Sequence, residues 1–132
     1  MLVDTTVWID LLRGQVTPAV VCLRQLLDRG EALIAPVIVQ EILQGARDAD
    51  SLTMLRKRFT ALPMVEPRPH GSTHADAGAL YARCRWAGVT PRSPHDCLIA
   101  QLAMENRLTL LHDDRDFEQM VLVEVGLMQR RG

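Results

Sequence analysis

The sequence predicts an α/β protein: a three-layer α/β/α sandwich around a central, mostly parallel sheet of five strands. Short apolar runs of strand length alternate along the chain with longer segments whose apolar residues recur every three or four positions. Such alternation makes consecutive strands parallel and joins them by right-handed helical crossovers. Acidic residues follow several of the predicted strands, and an open α/β sheet binds ligands at the carboxyl ends of its strands.

The length of 132 residues and the apolar content of 48% suit one domain spanning residues 1–132. We expect neither a signal peptide nor a membrane span, because Asp4 and Asp10 interrupt the apolar start and no apolar stretch approaches about 20 residues. A cytoplasmic protein is therefore expected. The three cysteines are odd in number and widely spaced, which indicates reduced core residues rather than a disulfide frame or a zinc site.

The first half of the chain is divided by helix caps and helix breakers. Thr17 and Pro18 form a cap-plus-proline start, and Gly30 is a typical helix terminator. Pro36 opens a further helix. The predicted elements are a strand at 1–3, a short helix at 7–12, a helix at 18–29, a strand at 32–35, a helix at 36–44, a helix at 48–62 and a strand at 63–66.

The second half contains a helix start at Ser93, whose hydroxyl can cap free N–H groups, followed by Pro94 at the first helical position. This helix is apolar on nearly all sides, as expected of a buried helix. The predicted elements are a loop at 67–71, a helix at 73–86, a helix from 94 to about 105, a strand at 108–111, an acidic loop at 113–116 and a last strand at 121–125.

Four acidic residues are predicted to meet at one edge of this sheet. Asp4 ends the first strand, Asp114 follows the strand at 108–111, Asp96 lies in the first turn of its helix, and Glu41 lies early in the helix after the second strand. Structural alternatives remain open at this point. Asp96 fits a helix cap, the run around Asp114 fits a solvated turn, and Glu41 fits a solvated helix face.

Carboxylates held close together repel one another and raise each other's pKa unless a cation lies between them. Oxygen ligands without clustered His or Cys indicate Mg²⁺, with Mn²⁺ possible, rather than zinc. The matching chemistry is phosphodiester hydrolysis by metal-activated water. The net charge of −1 argues against a protein that coats nucleic acid by bulk attraction, but it is compatible with a nuclease.

The chain resembles the PIN domain, and more narrowly the VapC toxins of bacterial toxin–antitoxin pairs, which are small Mg²⁺-dependent endoribonucleases. The resemblance rests on Asp4-Thr5-Thr6 after an apolar strand, Glu41 after the second strand, Asp96-x-Leu-Ile-Ala, and Asp114-x-Asp116-Phe117. It implies that Asp4 and Asp96 are the principal metal ligands and that Glu41 and Asp114 complete an acidic quartet. It also implies an auxiliary role for Asp116 and a substrate- or water-positioning role for Thr6.

The resemblance further implies a homodimer, a small antitoxin that inserts an Arg-containing segment into the acidic groove, and tRNA or rRNA as substrate. Backbone phosphate contacts are expected from Arg13, Arg92 and Arg115. His112 departs from the family, which has Thr or Ser there; it either caps the strand or contacts phosphate. His95, beside Asp96, is expected to be a helix-start residue rather than a general base.

Three other functions fit the sequence less well. A receiver-like phospho-acceptor domain needs a lysine at the end of a late strand, but the sole lysine, Lys57, lies within a predicted helix. An aspartyl phosphatase needs Asp-x-Asp after the first strand, where this chain has Thr6. A catalytically silent PIN fold used only for binding is disfavoured, because all four acidic positions are filled.

Overall fold

The computed structural model describes residues 1–132 and shows seven α-helices around a small parallel sheet. The strands are β1 (Leu2–Val3), β2 (Leu110–Leu111) and β3 (Gln129–Arg130). The helices are α1 (Thr5–Leu12), α2 (Pro18–Arg29), α3 (Pro36–Gln44), α4 (Ala49–Phe59), α5 (Ser72–Trp86), α6 (Pro94–Glu105) and α7 (Arg115–Met120), with a short 3₁₀ turn at Pro69–Gly71.

The predicted caps form and fix the helix boundaries. Thr17 Oγ1 accepts a hydrogen bond from the Val20 amide at 3.1 Å, and Gly30 ends α2 in the left-handed conformation with φ 69°. Ser93 Oγ accepts from the His95 amide at 3.2 Å, so α6 begins where the sequence predicts. These local interactions explain why α2 and α6 match their predicted ranges. The helices α3 and α5, which begin without a side-chain cap, match within about a residue too.

The sheet has the predicted parallel order but fewer regular strands than the five expected. β1 pairs with β2 and β2 with β3, while residues around Leu33 and Met64 join only through single parallel bridges, Leu2 with Leu33 and Ile34 with Met64. Pro63 has no N–H to donate and Pro36 starts α3, so both segments leave the sheet before a longer ladder forms. The prediction of five full strands is therefore wrong.

The chain after β2 also differs from the prediction. Residues 121–125 form turns rather than a strand, Val125 is 86% exposed, and the last strand is β3 instead. The acidic segment begins a helix, α7, because Asp114 Oδ1 accepts from the Asp116 amide at 2.9 Å and caps it. Phe117 and Met120, three positions apart, are both buried under this helix.

A single apolar core joins the sheet to the helices. Trp8 is buried, its indole N–H donates to the Val3 carbonyl at 3.1 Å, and its ring meets Phe59 edge-on at 5.3 Å. All three cysteines are buried and unpaired, as predicted. None of the helices combines the length and the apolar character needed to cross a bilayer.

Candidate functional site

The register of β1 and β2 brings the acidic residues to one edge of the sheet. Val3 pairs with Leu111, and the Asp4 amide donates to the Leu111 carbonyl at 2.9 Å, so both strands end side by side. From β1 the chain continues to the segment at Leu33 on one side, whereas β2 and β3 lie on the other. This reversal of strand order is where open α/β sheets form a binding crevice.

Asp4 ends β1 and caps α1. Its side chain is only 2% exposed, and its Oδ2 accepts hydrogen bonds from the Thr6 amide at 3.2 Å and from Thr6 Oγ1 at 2.7 Å. Burial raises the pKa of Asp4; the hydrogen bonds from Thr6 oppose this rise, and the nearby charge of Glu41 adds to it. Thr6 therefore acts on the site through Asp4.

Glu41 is half-buried on α3 and is tied to α1. Its Oε1 accepts from Thr5 Oγ1 at 2.8 Å, and its Oε2 lies 3.7 Å from His95 Nδ1. Thr5 was not among the site residues predicted from the sequence. The available signal was its position next to Asp4, at the start of a helix that packs against α3.

Asp96, Asp114 and Asp116 form the tightest acidic cluster, with one carboxylate oxygen from each lying within 4.8 Å of the others. Burial, followed in decreasing order by the charges of Asp4, Asp114, Asp116 and Glu41, raises the pKa of Asp96 to about 8. Asp4 and Glu41 lie outside this cluster, although their charges act on Asp96, whereas Asp116, predicted as an auxiliary acid, lies within it.

The donor set fits a divalent cation. All the candidate ligands are carboxylate oxygens. The pKa of Asp96 is raised by burial first and by neighbouring carboxylates second, and a cation at this point would favour its ionised form. Oxygen-only ligation suits Mg²⁺ or Mn²⁺, and the three free cysteines are buried in the core.

His112 is fully buried and bonds only to the protein, so its ring does not face a phosphate. Its Nδ1 accepts from the Asp114 amide at 3.1 Å and its Nε2 lies 2.5 Å from Gln129 Oε1, so both ring nitrogens have partners within the chain. Phe117 packs on it with ring centroids 5.1 Å apart. His112 therefore supports the strand end that carries Asp114, and the phosphate alternative is wrong.

The three arginines named from the sequence occupy different environments. Arg92 reaches the acids directly: its Nη2 donates to Asp114 Oδ1 at 2.8 Å and its Nε to Asp116 Oδ2 at 3.1 Å. Arg115 is exposed at the start of α7. Arg13 lines a separate apolar groove between α1, α3 and α4. Lys57 lies on α4 and is exposed, not at a strand end as a receiver domain requires.

Comparisons with known proteins place most of the chain in one family. Residues 1–121 match the sequence model of the PIN domain. A VapC ribonuclease of Mycobacterium bovis and Ribonuclease VapC11 of Mycobacterium tuberculosis are each 38% identical to this chain over 120 residues, which is 89% of this chain and 89% of theirs.

Solved structures share the fold at lower identity. VapBC from Salmonella typhimurium, bound to DNA, superposes with a TM-score of 0.74 at 19% identity, covering 98% of this chain and 95% of that one. VapBC2 from Rickettsia felis, bound to a promoter DNA fragment, gives 0.73 at 13% identity, covering 98% and 96%. From the match over residues 1–121 and the 38% identity to VapC ribonucleases, we conclude that this chain belongs to the PIN domain family.

Proposed function

We propose that this chain is a metal-dependent endoribonuclease and the toxin of a VapBC-type toxin–antitoxin module. The observation that carries the proposal is the convergence of Asp96, Asp114 and Asp116 within 4.8 Å, with Asp4 and Glu41 close enough to raise the pKa of Asp96. The relatives named VapC ribonucleases support RNA as the substrate class. In this proposal Asp4, Glu41, Asp96 and Asp114 hold the metal.

The proposed cofactor is Mg²⁺, with Mn²⁺ as an effective substitute. When bound, such an ion polarises the phosphoryl group and lowers the pKa of a water molecule. The chain's own residues orient the ligands: Thr6 holds Asp4 Oδ2, Thr5 holds Glu41 Oε1, and the cap of α7 holds Asp114 Oδ1. Asp116 acts as an auxiliary acid whose Oδ2 is held by Arg92.

The antitoxin is the proposed protein partner, because four of the structural neighbours are toxin–antitoxin or VapBC complexes. We propose that a segment of the antitoxin binds in an apolar groove. The groove is lined by Ile9, Leu12, Met54 and Leu55 and includes Ile42, the residue that follows Glu41. We further propose a cytoplasmic homodimer that cleaves tRNA or rRNA.

Metal removal tests the activity directly. We expect the purified chain to cleave a mixture of tRNA and rRNA in Mg²⁺, to lose cleavage in EDTA because the carboxylates then have no cation to hold, and to recover it with excess Mg²⁺ or Mn²⁺. Mapping of the RNA ends by sequencing measures the result. Cleavage that persists in EDTA would contradict the proposal. So would cleavage that elutes from a second column with a host nuclease and not with this chain.

A more local prediction concerns Thr6. Thr6→Val keeps the side-chain shape but removes the hydroxyl that donates to Asp4 Oδ2 at 2.7 Å. We expect about a tenfold loss of kcat/KM, the lower end of the cost of losing a residue that supports a metal ligand. Thr6→Ser should restore most of the rate.

The matched control is Thr53→Val on α4, where the hydroxyl bonds only to the Ala49 carbonyl on the exposed surface. Its rate should equal that of the unaltered chain. If Thr6→Val and Thr53→Val cleave RNA at equal rates, Thr6 has only a structural role in the first turn of α1.

A further inference from the structure

Arg92 makes an unusual set of contacts for an exposed side chain. It lies between α5 and α6, its side chain is 71% exposed, and yet three of its nitrogens bind the acidic cluster. The backbone amide and Nε both donate to Asp116 Oδ2 at 3.1 Å, and Nη2 donates to Asp114 Oδ1 at 2.8 Å.

In both Asp114 and Asp116, one carboxylate oxygen accepts hydrogen bonds from the chain and the other does not. Asp114 Oδ1 accepts from Arg92 Nη2 and from the Asp116 amide, and Asp116 Oδ2 accepts twice from Arg92. The second oxygen of each carboxylate accepts no hydrogen bond from the chain, and both residues are buried. Each carboxylate is therefore held at one oxygen, with the other left for a ligand.

We propose that Arg92 is a positioning residue of the metal site: it orients Asp114 so that the free oxygen of this carboxylate faces the ion, and it holds the auxiliary acid Asp116 beside it. This inference rests on the proposed function. Planar guanidinium nitrogens Nε and Nη2 bind two acceptors in a fixed relative geometry, which a lysine ammonium cannot reproduce. We call these two nitrogens and their two acceptors the fork. The site uses the geometry of this fork and not the positive charge alone.

Two simpler roles make different predictions. A counter-ion that only neutralises the acids would work equally well as lysine, because the charge is unchanged. A residue that only contacts RNA phosphate would affect KM for RNA and would leave metal binding by the RNA-free protein unchanged. Arg92→Lys separates all three roles, since it keeps the charge and the backbone amide contact to Asp116 but removes the fork.

The first measurement is Mn²⁺ binding to the RNA-free protein by titration calorimetry. We expect Arg92→Lys to weaken binding about tenfold, in line with the loss of groups that orient metal ligands. The matched control is Arg131→Lys: Arg131 also bridges two carboxylates, Asp113 at 2.9 Å and Glu118 at 2.6 Å, but neither belongs to the cluster. This control should bind Mn²⁺ like the unaltered chain.

The second measurement is RNA cleavage as a function of Mn²⁺ concentration. The concentration for half-maximal cleavage by Arg92→Lys should rise by the same factor as the Kd, while KM for RNA at saturating Mn²⁺ stays unchanged. Unchanged Mn²⁺ affinity, or a raised KM as the main effect, would overturn the inference. If the unaltered chain cleaves no RNA, the proposed function fails, but the calorimetric comparison still decides the role of Arg92.

Discussion

Asp96→Asn is expected to reduce RNA cleavage by about 100-fold or more, beyond the tenfold to 100-fold cost of losing a residue that merely supports a metal ligand. The same substitution should raise the melting temperature of the metal-free chain at pH 8. Burial, together with the charges of the other four carboxylates, raises the pKa of Asp96 to about 8. An amide at this position removes one ligand and, at the same time, one of the mutually repelling charges.

The combination of lost activity and gained stability is what distinguishes a metal ligand from a structural helix cap. If Asp96 served only the first turn of α6, Asn would cost little activity. Melting in EDTA and cleavage in Mg²⁺, measured on the same preparation, test both effects. Asp28→Asn, which changes an exposed acid on α2, should alter neither property. Undiminished cleavage by Asp96→Asn would remove it from the metal site.

Opposed effects of this kind follow from how the site is built. Asp4 ends β1 and Asp114 follows β2, while Asp96 begins α6 and Glu41 lies on α3. The arginine that pairs with these acids is exposed Arg92, which contacts Asp114 and Asp116. The metal-free protein therefore retains a repulsion that its own residues reduce only in part. A divalent cation supplies the missing charge, so metal binding should stabilise the fold as well as enable cleavage.

The features that could be predicted from the sequence are those set by contacts between residues close together in the chain. Helix boundaries are set by contacts within a few residues, such as Thr17 with Val20, and these leave clear sequence patterns. The positions of Asp4 and Asp96 followed from a strand end and a helix start. The missing strands had a different cause: an apolar run does not reveal whether its neighbours in space allow a ladder, and Val121–Val125 turned out to lie in turns.

The contacts that orient the acids were not predictable in the same way. Thr5 meets Glu41 across 36 positions in the chain, and Arg92 meets Asp116 across 24. Neither pair has a fixed spacing or a local pattern, because each depends on how whole helices pack. The contact between His112 and Gln129 could not be predicted either. It requires β2 and β3 to be neighbours, and the position of β3 was not predicted.

The stability of the metal-free chain is expected to fall as pH rises from about 4 to about 8. Asp96 has an ordinary pKa of 3.8 when unfolded and of about 8 in the fold, so between these values the folded state binds the extra proton. Rising pH then favours unfolding, by at most about 1.4 kcal/mol per pH unit for one such group, and by less where solvent screens it. Above pH 8 the dependence should level off.

Urea unfolding in EDTA at pH 5, 6.5 and 8 measures this slope, and Asp96→Asn should flatten it. Saturating Mg²⁺ should flatten it too, because a cation stabilises the ionised carboxylates, and its binding at pH 6.5 should release protons into the buffer. A stability that rises with pH over this range in the unaltered, metal-free chain would show that the pKa of Asp96 is not raised in the fold. The assignment of the metal site would then lose its electrostatic basis.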